Sequence, residues 1–176
     1  LNEVLLDQKY DSRLIGNIGN PVLSEKKITK KTIFVIEASS YQLDYSKIFT
    51  SKYALILNIS PDHLERHKNL KNYVNAKFKL LDSQSNRFTA LVKKNDPLIS
   101  KAIYKGKFKQ KIIKVDTLKN DKIFDQLKNQ YFLSYGNKEN LSFVLKISKL
   151  LKLDNKNLLK TLNKFKGLKY RQQIIY

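Results

Sequence analysis

Residues 53–67 read YALILNISPDHLERH, an apolar run that passes directly into a polar cluster. The run is short and bounded by turn residues, which predicts a buried strand over residues 53–59. In open sheets built from alternating strands and helices, polar ligands bind just beyond the carboxyl ends of such strands. The strand is therefore expected to bring the carboxylate of Asp62 and the imidazole of His63 to that edge. Pro61 restricts the turn between them.

A second apolar run, TIFVI at residues 32–36, ends in the same way, because Glu37 and the sequence SSYQ at 39–42 follow it. We expect the two strands to be neighbours. Ser39 and Gln42 share one face of a first helical turn, since they are three residues apart. Ser39 is either a helix cap or a ligand contact, and the two roles are compatible. Tyr41 is interpreted as a packing residue.

The next segment, residues 70–83, is predicted to be a helix with a broad apolar surface. Lys77 lies on that surface, four residues after Tyr73. A lysine among core-facing residues is unusual, and the simplest explanation is a buried stem with an ammonium group that reaches water. Together, Glu37, His63 and Lys77 indicate a Mg²⁺ or phosphate site, with purely structural roles as the alternative.

The remaining chain alternates between strand and helix patterns. Further strands are predicted at residues 14–15, 88–92, 111–115 and 131–133. Further helices are predicted at residues 1–10, 96–104, 121–129 and 137–153, and from an Asp154 cap to Gly167. The alternation predicts the α/β class, a mainly parallel sheet with helices on both faces. The first helix and the strand from Arg171 to Tyr176 look truncated, and the chain contains no Met, so an internal piece of a longer protein is expected.

The composition excludes several classes of protein. Without cysteine, there is no disulfide framework, thiolate metal site or thiol nucleophile. No apolar run is long enough to span a bilayer and no signal peptide is evident, so a cytoplasmic location is expected. The 35 Lys and Arg against 15 Asp and Glu give a formal charge of +20, which favours nucleic-acid contact. However, the lysines are dispersed, and only residues 105–111 resemble a patch, alternating as on an edge strand. Specific nucleic-acid binding is not expected.

Four motifs occur together in the order and spacing of a known family. They are GNIGNP at 16–21, IEASSYQL at 36–43, NISPDHLERH at 58–67 and YVNAK at 73–77. With these motifs the chain resembles the central domain of a Mur ligase, from Gly16 to Arg171. SSYQL is most similar to the member that adds D-glutamate to UDP-N-acetylmuramoyl-L-alanine. The resemblance implies an ATP-dependent amide ligase of peptidoglycan synthesis, which acts through an acyl phosphate and serves cell wall biogenesis, cell shape and cell division.

The resemblance also implies roles for individual residues. The implied magnesium ligands are Glu37, His63 and carbamylated Lys77, and His63 and Lys77 are the implied catalytic residues. Contacts to the muramoyl substrate are implied for Asn17, Ser39 and Gln42. Contacts to ATP are implied for Asn137, Asn140 and Arg171. The neighbouring residues Asp62, Glu65, Arg66 and His67 are interpreted as orienting and loop residues.

The chain departs from the family pattern in three places. GNKEN at 136–140 keeps both asparagines of the His-Asn…Asn pattern but not its histidine, and LKYR at 168–171 keeps only Leu and Arg of Leu-Pro-His-Arg. None of the five glycines lies in a GxxxxGK phosphate-binding loop.

Residues 1–166 are therefore predicted to be the central ligase domain without its phosphate loop, and residues 167–176 the start of the C-terminal domain. We expect this chain to be inactive alone and the full-length protein to be a monomer. The alternative is a non-catalytic module that kept the fold and binds a nucleotide or nucleic acid.

Overall fold

The computed structural model describes residues 1–117 and 121–167, which form two compact units. The first unit comprises residues 1–37 and 121–167, and the second comprises residues 38–117. The strands are β1 (Ser12–Gly16), β2 (Ile33–Glu37), β3 (Tyr53–Ile56), β4 (Thr89–Lys93) and β5 (Lys111–Val115). The α-helices are α1 (Asn2–Asp7), α2 (Ser40–Tyr45), α3 (Leu64–His67), α4 (Leu70–Asp82), α5 (Pro97–Lys105), α6 (Lys122–Gln126), α7 (Tyr135–Leu150) and α8 (Asn155–Lys164). Short 3₁₀ helices occupy Val22–Ser24 and Gln130–Leu133.

The first unit contains a parallel pair of strands. β1 pairs with β2 so that Ser12 lies opposite Ile33 and Gly16 opposite Glu37. Apolar side chains of α1, α7 and α8 form the core of this unit, among them Val4, Leu5, Leu141, Leu145, Leu158 and Leu162. The register places Glu37 at the carboxyl end of its strand, beside the glycine that ends β1.

The second unit contains a three-stranded parallel sheet in the order β3-β4-β5. β4 is the central strand, and Ala90, Leu91 and Val92 are fully buried. A continuous apolar run of this kind is typical of a parallel strand that is covered on both faces. The core of the unit is completed by side chains of α4 and α5, which include Tyr73, Val74, Phe78, Leu81 and Ile99.

Side-chain caps mark where several helices begin. The carboxylate of Asp96 accepts from the backbone N–H groups of Leu98 and Ile99, both at 3.0 Å, and Pro97 is the first residue of α5. Asp154 caps α8 by accepting from Asn157 N at 2.8 Å, as predicted. α8 ends at Lys164, and Gly167 follows with a φ of +83°.

Three predictions about the fold were wrong. The strands β2 and β3 are not neighbours, because they belong to different sheets. Residues 131–133 belong to a 3₁₀ helix that the side chain of Asn129 caps, so local capping prevails over their apolar strand-like composition. The lysines of residues 105–111 do not alternate along one strand, since Lys105 ends α5 and Lys111 begins β5.

The parallel strands and flanking helices confirm the predicted α/β class. Within residues 1–117 and 121–167, every helix is too short or too polar to cross a lipid bilayer. The predicted domain boundary near residue 167 stays a prediction, since residues 168–176 lie outside the described part of the chain.

Candidate active site

The loop after β1 depends on two glycines. Gly16 has a φ of +105°, and a Cβ there would lie 2.4 Å from the carbonyl oxygen of Glu37. Gly19 has a φ of +86°, and a Cβ there would lie 2.2 Å from the carbonyl oxygen of Leu14. Since an L side chain at either position would collide with backbone, the loop requires glycine at both.

This loop holds Asn17 against Glu37. The Asn17 N–H donates to the Glu37 carbonyl at 2.8 Å, and the Asn17 Nδ2 donates to Glu37 Oε1 at 3.1 Å. This hydrogen bond orients the carboxylate of Glu37 through its oxygen Oε1. The second oxygen, Oε2, does not take part in the bond with Asn17. Two predicted site residues from different elements are therefore brought together in the first unit.

In the second unit, Ser39 and Gln42 form a capping box at the start of α2. The Ser39 hydroxyl accepts from Gln42 N at 3.2 Å, and Gln42 Oε1 accepts from Ser39 N at 2.9 Å. The capping interpretation of Ser39 is confirmed. The predicted substrate contacts of both residues stay predictions.

His63 follows β3 in a left-handed backbone conformation, with a φ of +51°. Its side chain is 45% exposed and lies between two carboxylates. His63 Nε2 is 3.3 Å from Asp62 Oδ2, and His63 Nδ1 is 3.7 Å from Glu65 Oε1. The Asp62 side chain also accepts from His63 N at 2.9 Å. These contacts agree with the interpretation of Asp62 and Glu65 as orienting residues.

Lys77 is half-buried on α4, and its Nζ lies 5.1 Å from the centre of the Tyr73 ring. Burial lowers the pKa of the Lys77 ammonium group, and the negative charge of Asp62 opposes that shift. Burial also raises the pKa of the Tyr73 hydroxyl, with a smaller contribution from Asp62. The Lys77 amine is therefore partly desolvated.

A line of rings connects His63 to Lys77. The Tyr41 ring centre lies 5.0 Å from that of His63 and 5.6 Å from that of His67. His67 in turn lies 5.4 Å from Tyr73, above which Lys77 is placed. Sequence reasoning missed this arrangement, because only the Tyr73–Lys77 spacing of four residues carries a local signal.

Two of the three predicted nucleotide contacts, Asn137 and Asn140, lie in the first unit. Asn137 is in the first turn of α7, and its Nδ2 donates to the Tyr131 carbonyl at 2.7 Å. Asn140 is exposed one turn later. Arg171 lies outside the described residues.

The predicted metal ligands belong to both units. Glu37 ends β2 in the first unit, whereas His63 and Lys77 lie in the second. A carboxylate oxygen suits Mg²⁺, an imidazole is a less usual ligand, and a lysine amine would have to become a carbamate to offer oxygen. In the described ranges, no three His, Asp or Glu side chains form a preassembled metal cluster.

A cavity of about 490 Å³ lies elsewhere in the second unit, between α4 and α5. Its lining includes Val74, Phe78 and Phe108, and excludes both His63 and Lys77. This cavity therefore does not coincide with the polar residues that the sequence singles out.

Comparison with known proteins relates this geometry to a family. The family model described as the Mur ligase middle domain matches residues 9–158. A UDP-N-acetylmuramoylalanine--D-glutamate ligase of Rickettsia bellii is 30% identical over 99% of this chain and 43% of its own length. Proteins of the same name from Pseudothermotoga lettingae and Francisella tularensis subsp. novicida are 33% and 34% identical, over 94% and 98% of this chain and 39% of their own lengths.

Solved structures show a similar fold. UDP-N-acetylmuramate:L-alanyl-gamma-D-glutamyl-meso-diaminopimelate ligase from Neisseria meningitides matches with a TM-score of 0.68 and 14% identity, over 95% of this chain and 61% of that chain. MurF from Acinetobacter baumannii matches with a TM-score of 0.64 and 13% identity, over 99% of this chain and 45% of that chain.

Proposed function

Since the chain belongs to the Mur ligase family through its middle domain, we propose that the complete protein joins D-glutamate to UDP-N-acetylmuramoyl-L-alanine with ATP. The observation that carries the proposal is the similarity, over 94–99% of the chain, to relatives named UDP-N-acetylmuramoylalanine--D-glutamate ligase. The chain spans 39–43% of the length of these relatives, so the activity is proposed for the complete protein. The reaction would serve peptidoglycan precursor synthesis in the cytoplasm, with the protein acting as a monomer.

The proposed reaction has two steps. A carboxylate oxygen of the alanyl group attacks the γ-phosphorus of ATP, and the bond to the ADP oxygen breaks, which gives an acyl phosphate and ADP. The amine of D-glutamate then attacks the acyl carbon, inorganic phosphate leaves, and the nitrogen loses a proton to give the amide. Positioning and charge stabilisation are the main contributions of a protein to phosphoryl transfer.

In this scheme Asn17 holds the carboxylate of Glu37 in the orientation set by their 3.1 Å hydrogen bond. The remaining oxygen of Glu37 fits a magnesium ion in its chemistry, and His63 supplies a ring nitrogen at the end of β3. When bound, Mg²⁺ would neutralise charge on the transferring phosphate. Asn17, Ser39 and Gln42 would contact the muramoyl substrate. Asn137, Asn140 and Arg171 would contact ATP.

Lys77 would contribute as a carbamate. Only a neutral amine reacts with CO₂, and burial lowers the pKa of the Lys77 ammonium group, which increases its neutral fraction. The Lys77 nitrogen would form a bond to the carbon of CO₂ and lose a proton. The amine would then be replaced by a carboxylate-like carbamate, whose oxygens can act as metal ligands.

An assay of phosphate release by the complete protein tests the proposal. We expect release to require ATP, UDP-N-acetylmuramoyl-L-alanine and D-glutamate together, and L-glutamate to be a poor replacement. The 176-residue chain alone is expected to release none, because its sequence contains no GxxxxGK loop. Nucleotide binding by the complete protein without D-glutamate-dependent turnover would instead support a non-catalytic module.

A further inference from the structure

His67 lies at the centre of the line of rings in the second unit. It is only 5% exposed, although it follows an exposed polar stretch. Its ring centre is 5.6 Å from that of Tyr41 and 5.4 Å from that of Tyr73. One neighbouring ring contacts His63, and the other lies beneath the amine of Lys77. His67 therefore connects the two groups for which the family resemblance implies catalysis.

Two hydrogen bonds fix His67 in this place. His67 Nε2 is 3.0 Å from the hydroxyl oxygen of Ser40, which is 3% exposed in the first turn of α2. The His67 carbonyl accepts from Asn72 Nδ2 at 3.0 Å, which ties it to the first turn of α4. The ring is thus bonded to the helix that carries Tyr41, and the backbone is bonded to the helix that carries Tyr73 and Lys77.

We propose that His67 is a positioning residue for the ligase reaction. Its ring holds Tyr41 against His63 and Tyr73 beneath Lys77, so that the imidazole and the amine keep one relative placement. Aromatic rings prefer a limited set of mutual geometries, and the Lys77 nitrogen lies 5.1 Å from the centre of the Tyr73 ring. Loss of the His67 ring would therefore free Tyr41 to move away from His63, and Tyr73 to move away from Lys77. The expected effect of His67 on turnover rests on the proposed function. Its expected effect on the placement of Lys77 does not.

If His67 had only a structural role, substitutions at this position would have different effects. A buried imidazole that only filled space and bonded Ser40 would affect stability, and any side chain that kept the hydrogen bond would suffice. Positioning by the ring predicts that an aromatic replacement works and that a hydrogen-bonding replacement without a ring fails. The two roles are therefore separable by substitution.

Three variants of the complete protein separate them. His67→Gln places an amide nitrogen near the position of Nε2 and removes the ring. The double variant Ser40→Ala with His67→Phe keeps a ring and removes both ends of the hydrogen bond, so that no polar atom is left unpaired. Gln110→Leu is the matched control, because Gln110 is 6% exposed and its Nε2 donates to the Leu81 carbonyl at 3.0 Å, apart from the line of rings.

The first readout is the NMR signal of the Lys77 side chain in protein labelled with ¹³Cε-lysine, assigned by its loss in Lys77→Arg. We expect the His67→Gln variant to move this signal toward those of exposed lysines, because the amine leaves the Tyr73 ring. The double variant and Gln110→Leu are expected to keep the wild-type signal.

The second readout is the kinetics of D-glutamate-dependent phosphate release. We expect His67→Gln to lower kcat by about 10- to 100-fold with little change in the KM for ATP, whereas the double variant keeps most of the turnover. Thermal unfolding of all variants shows whether a loss of kcat results from a loss of stability.

Wild-type kcat and an unchanged Lys77 signal in His67→Gln would overturn the inference. A loss of kcat in Gln110→Leu as large as that in His67→Gln, at equal thermal stability, would overturn it as well. If the wild-type protein shows no ligase activity, the proposed function fails, and the Lys77 signal alone then decides whether His67 positions the amine.

Discussion

Lysines on the same helix have very different surroundings in this protein. On α4, the amine of Lys77 is half-buried above the Tyr73 ring, whereas Lys71 is exposed to solvent. Because burial disfavours the charged form, it lowers the pKa of the Lys77 ammonium group. A neutral amine at this position suits chemistry that an exposed lysine would not support.

The carbamate role of Lys77 is tested by its replacement in the complete protein. We expect Lys77→Ala to lower the turnover by roughly 100- to 1,000-fold, because an electrostatic contribution to phosphoryl transfer is lost. Short carboxylic acids should partly restore it by taking the place of the carbamate. Lys77→Arg should stay inactive, since a guanidinium group neither reacts with CO₂ nor binds a cation.

The measurement is D-glutamate-dependent phosphate release, and the control is Lys71→Ala, which removes an exposed lysine of the same helix. The control should leave turnover unchanged. Near-normal turnover of Lys77→Arg would mean that Lys77 acts only as a positive charge, and the carbamate assignment would be wrong.

Gly16 offers a second test at a single position. Its φ of +105° and the 2.4 Å approach of a Cβ to the Glu37 carbonyl oxygen make Gly16→Ala strained. We expect this change to lower the free energy of unfolding by about 1–3 kcal/mol. Gly136→Ala is the matched control: a Cβ there meets nothing within 4 Å, so it should be neutral or stabilising by up to about 1 kcal/mol. Denaturant unfolding measures both, and equal effects of the two changes would contradict the structure of the loop.

At the scale of elements, α2 is a short helix that depends on its N-terminal cap. The reciprocal hydrogen bonds between Ser39 and Gln42 satisfy two backbone N–H groups at its start. Its far end is held to α4, since Lys79 Nζ lies 2.7 Å from Asp44 Oδ1 and 2.9 Å from the Asp44 carbonyl. The helix is thus placed by polar contacts at both ends.

Replacement of Ser39 separates capping from substrate binding. Ser39→Ala is expected to lower the free energy of unfolding by about 0.5–2 kcal/mol, whereas Ser39→Asn keeps a capping side chain and most of the stability. If Ser39 also contacts the substrate, Ser39→Asn raises the KM for UDP-N-acetylmuramoyl-L-alanine despite its stability. Wild-type stability of Ser39→Ala would contradict the contribution of the cap, and a wild-type KM in Ser39→Asn would remove Ser39 from the substrate contacts.

The Asp44–Lys79 contact predicts a dependence of stability on pH. The hydrogen bond from Lys79 lowers the pKa of the Asp44 carboxyl group in the folded protein. The ordinary value is about 3.9, so the contact stabilises the fold above that pH and is lost as the pH falls through the lower, folded value. The effect is small because both side chains are more than a third exposed.

We therefore compare the unfolding free energies of the wild type and Asp44→Asn. The wild type should be more stable at neutral pH, and the difference should be smaller at low pH, because protonation of Asp44 removes the charge that attracts Lys79. The same difference at both pH values would show that Asp44 acts through packing and not through its charge.

At the scale of the whole molecule, the basic residues are dispersed. Of the lysines at residues 105–111, only Lys111 lies on β5, and other charges are spread over both units. Some form ion pairs, as between Lys94 Nζ and Asp116 Oδ2 at 2.9 Å. A net charge of +20 without a reading motif favours weak and nonspecific contacts with polyanions.

We expect nucleic-acid affinity to be weak, without sequence preference, and to fall steeply with salt, because bound counterions are released from the phosphates. Fluorescence anisotropy with two labelled duplexes of different sequence, measured across a salt series, provides the test. A tight complex with one sequence that persists at physiological salt would contradict this expectation and favour a nucleic-acid-binding module.

The sequence alone determined most of the elements of this protein. Apolar periodicity predicted α4, α7 and β5 because such patterns repeat over neighbouring residues. The Asp154 and Ser39 caps were predictable for the same reason, since a cap acts within three residues of the chain. The motifs likewise determined the family, whose model matches residues 9–158.

Only the tertiary structure decided how these elements combine. β2 and β3 belong to different sheets, which depends on which backbones form hydrogen bonds with each other. The pattern of apolar residues along one strand does not determine which strand it pairs with. The same holds for His67, whose hydrogen bond joins it to Ser40 across 27 positions of the sequence. Contacts between residues so distant in the chain arise when helices pack, and therefore the line of rings from His63 to Lys77 had no local signal from which it could be predicted.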